Sequence, residues 1–165
     1  MFDPAKCADN NCEWIEVFNA TDSEVDLLGL RIQDSQLNAN AQGTVNVSLV
    51  AAPGQYVMLG KGPEANWTYM IKADAYTGAN PAFNNGNGTM DSAAILNANG
   101  ILDQTAPYTA AGALSAGVSW KLNGMPSAVA NDMAANWCYS PNDFGDGDLG
   151  SPKAANDMAC NPNLP

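Results

Sequence analysis

Residues 13–30 read EWIEVFNATDSEVDLLGL, and this stretch decides the fold class. Its opening segment, EWIEVFN, predicts an extended strand on which Trp14 and Phe18 share one face. Ile15 and Val17 share the other face, so apolar side chains occupy both sides of the strand. A strand that is covered on one side only alternates apolar with polar residues. The pattern therefore predicts a central strand of a two-sheet sandwich.

Further short apolar stretches, bounded by turn residues, follow along the chain. They lie at residues 25–34, 44–49, 55–60, 67–72, 92–97, 101–104 and 118–122. Asn99-Gly100 predicts a hairpin between its two neighbours, because this dipeptide favours the positive φ that tight β turns need. No stretch has the periodicity of an amphipathic helix of about ten residues. About eight short strands without helices predict an all-β sandwich with long irregular loops.

Length and composition limit the number of domains. At 165 residues and 17.2 kDa the chain fits a single domain over residues 1–165. We expect its core at about residues 12–157, and a tail or the start of a linker at 158–165. Charged residues make up 14% of the chain, against a typical value of about 25%. Polarity comes instead from Asn, Ser, Thr and Gly, which is typical of a turn-rich β protein.

The charge balance excludes some classes of partner. Six Lys and Arg stand against seventeen Asp and Glu, giving a formal net charge of −11. Proteins that bind nucleic acid draw most of their affinity from neutralised phosphates, so nucleic acid and anionic membranes are disfavoured partners. Proteins and neutral glycans are compatible with this charge. The apolar runs are also far shorter than the roughly 18 residues of a membrane-spanning helix, so we expect no membrane insertion.

The cysteines indicate an oxidising compartment. Cys7, Cys12, Cys138 and Cys160 are even in number and lie near the ends of the chain, which predicts two disulfides rather than a catalytic thiol. Three pairings are open, and Cys7–Cys12 with Cys138–Cys160 is the simplest, since each closes a local loop. The rival interpretation is a zinc site of four cysteines, although neither spacing resembles a paired C-x₂-C motif. Disulfides predict an extracellular or cell-surface protein.

Several kinds of catalysis are excluded. The chain has no His, so Ser-His-Asp and Cys-His arrangements cannot form. No phosphate-binding or dinucleotide-binding glycine motif is present. Glu13 and Glu16 would point to opposite faces of the predicted strand, so they cannot act together as a glycosidase pair. We therefore predict a protein that is not an enzyme and requires no cofactor.

The densest acidic cluster lies in the sequence DFGDGDLG at residues 143–150. Carboxylates in flexible loops are the ligands that calcium prefers, so Asp143, Asp146 and Asp148 form a candidate calcium site. The alternative is a set of structural turns, because Asp caps turns and Gly supplies positive φ. Both interpretations stay open at this stage.

Aromatic residues offer a candidate surface for sugars. Trp67 and Tyr76 flank a long Asn-, Gly- and Ala-rich loop at residues 73–89, and long loops are often functional. We therefore expect these two side chains to be exposed and to contact a ligand. Trp14, Trp120 and Trp137 lie in core-like segments and are expected to pack inside.

The order of these segments resembles a known family. Residues 13–30 resemble the opening of the lamin tail domain of the bacterial secreted kind, with its E-W/F-I-E-hydrophobic-x-N stretch, polar turn and V-D-L-x-G-W/L. Residues 52–60, APGQYVMLG, resemble the A-P-G-x-Y strand of the family. GILD at 100–103 resembles its hairpin, and GVSWKL at 117–122 resembles a later strand.

The end of the chain also resembles this family. NWC at 136–138, followed by GDLGSPKAAN at 147–156, resembles the usual closing W…G-D-x-G-T/S-P-G-x-x-N pattern. Lys153 replaces the usual Gly, which puts the shape of that turn in doubt but not the fold. The resemblance covers roughly residues 12–157.

The resemblance implies an immunoglobulin-like β-sandwich without a catalytic motif. Bacterial domains of this family are usually exported, attached to other modules, and taken to be accessory or interaction domains. Our leading hypothesis is a non-catalytic, disulfide-bonded module that mediates adhesion or assembly outside the cell through its sheet edges, supported by calcium in the acidic loop. The alternative is an accessory carbohydrate- or polymer-binding domain of a larger secreted enzyme.

Overall fold

The computed structural model describes residues 1–35 and 41–164. The chain folds into short strands joined by long loops, as predicted for an all-β protein. The strands are β1 (Trp14–Phe18), β2 (Val25–Asp26), β3 (Arg31–Gln33), β4 (Gly43–Thr44), β5 (Val50–Ala51), β6 (Tyr56–Gly60), β7 (Ala75–Tyr76), β8 (Met90–Asp91), β9 (Ala94–Asn97), β10 (Gly100–Gln104), β11 (Tyr108–Thr109), β12 (Trp120–Leu122) and β13 (Trp137–Tyr139). The helices are α1 (Asp9–Cys12) and α2 (Ala128–Asn131), with 3₁₀ turns at Glu64–Asn66, Gly112–Leu114 and Ala134–Asn136. None of the helices in the described ranges could cross a membrane.

Strand β1 lies at the edge of a three-stranded sheet, β1-β6-β7, in the part of the chain that the structure describes. It runs antiparallel to β6, with Trp14 opposite Gly60 and Phe18 opposite Tyr56. The prediction of a central strand is therefore wrong for strand pairing. The expectation that both faces of the strand are covered is confirmed. Ile15 packs against the main core, while Trp14 belongs to a second apolar cluster.

Two apolar clusters cover the two faces of this sheet. Val57 and Leu59 of β6 belong to the main core. Met58, which lies between them and points the opposite way, packs in a second cluster with Trp67 and Tyr69. The sheet is thus covered on both sides, as the apolar pattern of β1 indicated.

The hairpin predicted around Asn99-Gly100 is confirmed. Strands β9 and β10 pair antiparallel, with Gly100 opposite Asn97, and Gly100 has a φ of +128°. A bulge shifts the register between Ile101 and Asp103. This hairpin forms half of a four-stranded sheet in the order β10-β9-β3-β4. Two-stranded pairs β11-β8, β12-β13 and β2-β5 complete the described strand pairing.

Two predicted strands differ from the structure. Residues 67–72 form an irregular loop, in which the Trp67 indole N–H turns back to the Ile71 carbonyl. In the stretch 44–49 only the first residue belongs to a strand, and the rest is held by single backbone bonds to residues 27–30. Alternating apolar residues are present in both stretches, but a continuous backbone partner is not.

The end of the chain is tied to the body. The Asn161 N–H donates to the Tyr139 carbonyl at 2.8 Å, and Leu164 packs against the main core. The division into a core at 12–157 and a tail at 158–165 stays a prediction.

Candidate functional site

A cleft of about 340 Å³ opens beside β1. Its walls come from β1, from the hairpin β9–β10 and from β12. This volume lies at the lower end of the roughly 300–1,000 Å³ that is usual for binding pockets. The cleft is thus large enough to hold a ligand or a short segment of another chain.

The backbone of β1 faces this cleft along its unpaired edge. The backbone N–H of Lys61 donates to the Glu13 carbonyl at 2.8 Å, and the backbone N–H of Asn19 donates to the Gln55 carbonyl at 3.0 Å. Since the pairing alternates along an antiparallel strand, the odd-numbered residues from 13 to 19 direct their backbone N–H and C=O groups towards β6. The N–H and C=O groups of Glu16 and Phe18 therefore point away from β6. Both of these residues line the cleft.

Part of the main core is open to the same cleft. Five partly buried side chains both pack against the main core and line the cleft: Ile15, Val17, Ala93, Ile95 and Trp120. In a closed sandwich such residues are covered by the neighbouring strand. The cleft is therefore a place where the core is incompletely covered.

Two tryptophans in the cleft correct a sequence-based prediction. Trp120 and Trp137 were expected inside, yet both are half-buried and line the cleft, with their ring planes 9° apart and ring centroids 6.3 Å apart. Trp14, which also lines the cleft, is buried as expected, with 6% exposed. The indole N–H groups of Trp14 and Trp120 have no hydrogen-bond partner among the described residues. The opening of Trp120 and Trp137 to the cleft could not be predicted from the sequence, because local patterns do not show which strands leave a gap between them.

Burial shifts the pKa of two ionisable groups of the cleft, Glu16 and Lys121, towards the neutral form. Burial raises the pKa of Glu16 to about 8, although the backbone N–H of Lys153 donates to its carboxyl at 2.6 Å. Burial also lowers the pKa of Lys121, whose ammonium donates to the Asp157 carbonyl at 2.6 Å. At neutral pH the Glu16 carboxyl is therefore largely protonated. The Lys121 ammonium already has a hydrogen-bond partner in the Asp157 carbonyl.

The expected exposure of Trp67 is wrong. Its side chain is 3% exposed, and its ring packs edge-on against Tyr69 and Tyr76 at 5.5 Å from each. Gly60 makes room for it, since a Cβ at that position would lie 2.6 Å from the indole ring. Tyr76 is half-buried beside it. Trp67 is thus a core residue, and a ligand contact at Tyr76 stays a prediction.

Two of the three acidic residues proposed for calcium accept backbone hydrogen bonds, Asp143 within its own turn and Asp146 from a distant loop. Asp143 accepts the N–H groups of Gly145 and Gly147 at 2.5 and 3.1 Å, which lowers its pKa. Asp146 accepts the N–H of Met70 at 3.0 Å. The contacts of Asp143 fit the alternative interpretation of structural turns, and the contact of Asp146 holds two loops together.

Asp148 is used differently. It is 1% exposed, and its Oδ2 accepts the N–H groups of Ala5 and Lys6 at 3.0 and 3.2 Å together with the Tyr69 hydroxyl. The structure does not gather the three carboxylates around one point, and the described residues hold no group of three acidic or cysteine side chains suited to a metal ion. Calcium binding by Asp143, Asp146 and Asp148 stays a prediction without a site assembled for it.

The simplest predicted cysteine pairing, Cys7–Cys12 with Cys138–Cys160, is confirmed. Cys7 and Cys12 have Cα atoms 5.7 Å apart, and those of Cys138 and Cys160 are 5.6 Å apart, both within the disulfide range. A zinc site would need all four thiolates around one ion. The two separate pairs do not fit that alternative.

Comparison with known proteins bears on the fold and its class. A family model described as Lamin Tail Domain matches residues 1–110, which is 110 of the 165 residues. A comparison with curated proteins returned no match. The closing segments at 136–138 and 147–156 lie outside the matched region, so their resemblance to this family stays a prediction.

Proposed function

The chain belongs to the lamin tail domain family, and from that premise we propose that it is a non-catalytic module of an exported protein that mediates adhesion or assembly. The family is immunoglobulin-like, and the strand-rich structure agrees with this fold. Such a fold presents surfaces and sheet edges for binding other molecules. Fold alone does not determine function, so the proposal depends on the site described above.

The observation that carries the proposal is the cleft beside β1. It combines an unpaired strand edge with core side chains that are open to a partner. Exposed strand edges tend to pair with another chain. This feature supports a role in holding a partner rather than in converting a substrate.

Two further features support export and the absence of catalysis. Two disulfides suit an oxidising compartment outside the cytosol. The chain has no His, and the carboxylates nearest to β1 have separate partners: Glu13 is bonded to Lys61 and Glu16 to the backbone of Lys153.

The test is attachment of beads coated with the oxidised protein. We expect attachment to one another, to protein-coated surfaces or to polysaccharide-coated surfaces, measured in calcium and in chelator. Trp120→Ala, in the cleft, should reduce attachment. The matched control is Met70→Ala, because Met70 is 80% exposed and lies outside the cleft. Beads that attach to none of these surfaces would contradict the proposal.

A second candidate function is the binding of neutral glycans. The observation that favours it is the pair of half-buried, nearly parallel indole rings of Trp120 and Trp137 that line the cleft. Aromatic faces with nearby polar groups suit the apolar faces and hydroxyls of sugars. A glycan array probed with the protein and with Trp137→Ala tests it, and signals that are equal for the two proteins would argue against it.

A further inference from the structure

We propose that the cleft takes an extended segment of a partner polypeptide, which adds to the free edge of β1 as an extra strand. This inference rests on the proposed interaction function and names the class of partner. The occupant is a segment of another protein, with apolar side chains at alternate positions. Strand addition of this kind obtains affinity from backbone hydrogen bonds and specificity from pockets for alternate side chains.

The backbone of β1 offers the hydrogen bonds that an added strand requires. Glu16 and Phe18 each direct one N–H and one C=O away from β6, into the cleft. The preceding outward residue, Trp14, already shows the geometry: its N–H donates to the Met1 carbonyl at 3.0 Å, and its carbonyl accepts from the Met1 amino group at 3.0 Å. This reciprocal pair is the antiparallel ladder pattern. An added strand would continue that ladder along β1.

The side chains around the edge define what the added strand must carry. Ile15, Val17 and Ile95 pack against the main core and are open to the cleft. A strand placed beside β1 would turn alternate side chains towards them. Apolar residues at those positions would complete the cover of the core, since burial of apolar area is the main favourable contribution to association.

Edge protection differs between the two main sheets. β10 is also an edge strand, but it carries Asp103 and a bulge next to it, and both discourage pairing. β1 reads WIEVF, with no Lys, no Pro and a regular register over its five residues. Its one ionisable residue is Glu16, whose raised pKa keeps the carboxyl largely neutral. Both strands line the cleft, and of the two edges β1 is the one without these protections.

Charge decides between a second copy and a different protein. Each copy carries a net charge of −11, so two copies repel one another. Asp103 lines the cleft, and a basic residue at that end of the added strand would suit it. A neutral or basic segment of another protein therefore fits better than a second copy.

The test begins with a displayed library of linear eight-residue peptides selected on the full oxidised chain. The selected peptides are then measured for affinity and for their effect on amide hydrogen exchange. We expect alternating apolar sequences that slow the exchange of the Glu16 and Phe18 amides. Phe18→Pro removes the outward N–H without removing a bond to β6, because proline is tolerated at such edge positions. It should weaken binding about tenfold more than Phe18→Ala, which removes the ring and keeps the N–H.

Several outcomes would overturn the inference. A selection without binders would do so, as would peptides that bind Phe18→Pro and Phe18→Ala equally well or leave the two amides unprotected. Should Phe18→Pro fail to fold, the exchange measurement on the unchanged protein decides alone. Glycan binding in the cleft without amide protection would leave the interaction function standing and refute strand addition. Self-association seen by light scattering and abolished by Phe18→Pro would show that a second copy is the occupant, against our inference.

Discussion

The Lys61 ammonium donates a hydrogen bond to Glu13 Oε2 at 2.7 Å, with 7% and 2% of the two side chains exposed. Burial raises the pKa of Glu13, and the ammonium and the backbone N–H of Phe83 offset part of that rise. Lys61 follows directly on β6, and Glu13 directly precedes β1. The pair therefore joins the edge strand β1 to the central strand β6 of this sheet.

Lys61→Met should lower the free energy of unfolding by about 3 kcal/mol at pH 8.5, because Glu13 has a pKa of about 7 and would lose the cation that stabilises its buried charge, and by less at pH 6, where the carboxyl takes up a proton. Urea unfolding followed by tryptophan fluorescence measures the loss. The double variant Glu13→Gln with Lys61→Met is the control, and it should lose less than the single variant since no buried charge remains. Equal losses in the two variants would show that the ion pair is not what holds this position.

Glu16 makes stability depend on pH. Its folded-state pKa of about 8 lies above the ordinary value of 4.5, so the folded protein binds the proton more tightly than the unfolded chain. The resulting stability is fully present below about pH 4.5 and is lost as the pH rises through about 8. Other things being equal, the free energy of unfolding should fall by a few kcal/mol over that range.

Glu16→Gln isolates this contribution. The amide stays neutral at every pH, so the variant should lose the part of the decline between pH 5 and pH 8.5 that Glu16 causes. Denaturant unfolding at a series of pH values measures it, with Glu24→Gln as an exposed control that should follow the unchanged protein. A decline of the same size in Glu16→Gln would refute the assignment.

The faces of β1 could be predicted from the sequence, whereas its place in the sheet could not. Alternation of side chains reports what covers each face of a strand, and Ile15 and Trp14 pack on opposite sides as expected. The neighbours of a strand within its sheet are set by backbone pairing with residues far along the chain. No side-chain period records this, and the open cleft beside β1 was therefore not foreseen.

The tryptophans show the same limit. Trp67 was placed on the surface because it flanks a long polar loop, but the space that buries it is left by Gly60, which lacks a Cβ. Trp120 lies in a strand as predicted, yet the cleft keeps its ring half open. The cysteine pairing could be predicted because short loops favour local closure.

The two disulfides should differ in their contribution to stability. Cys138–Cys160 joins residues separated by 22 positions, and Cys7–Cys12 joins residues separated by 5. From loop-closure entropy, replacing both cysteines of the longer loop by Ala should lower the free energy of unfolding by about 3 kcal/mol. Replacing both cysteines of the shorter loop should lower it by about 2 kcal/mol. Denaturant unfolding of the two double variants measures the difference, with the reduced protein as the reference. A greater loss from the shorter loop would mean that native packing, rather than chain entropy, sets the contribution.

Asp148 separates a structural role from a calcium site. Its buried Oδ2 accepts two backbone N–H groups and the Tyr69 hydroxyl. In Asp148→Asn the amide NH₂ group would face one or more of these N–H and O–H donors and could not accept from them. The substitution should therefore lower the free energy of unfolding by about 3 kcal/mol. Tyr69→Phe removes one of the donors and should cost less.

Calcium and chelator distinguish the two interpretations of the acidic residues. If Asp148 anchors the chain at Ala5 and Lys6, Asp148→Asn should lower the temperature of thermal unfolding by the same amount in calcium and in chelator. Asp143→Asn should have a smaller effect, because its partners lie in an exposed turn. A shared calcium site predicts a different pattern: stabilisation of the unchanged protein by calcium, lost alike in both variants and in Asp146→Asn. That pattern would restore the calcium site, since separate structural contacts cannot produce a loss that depends on the metal and is the same for all three residues.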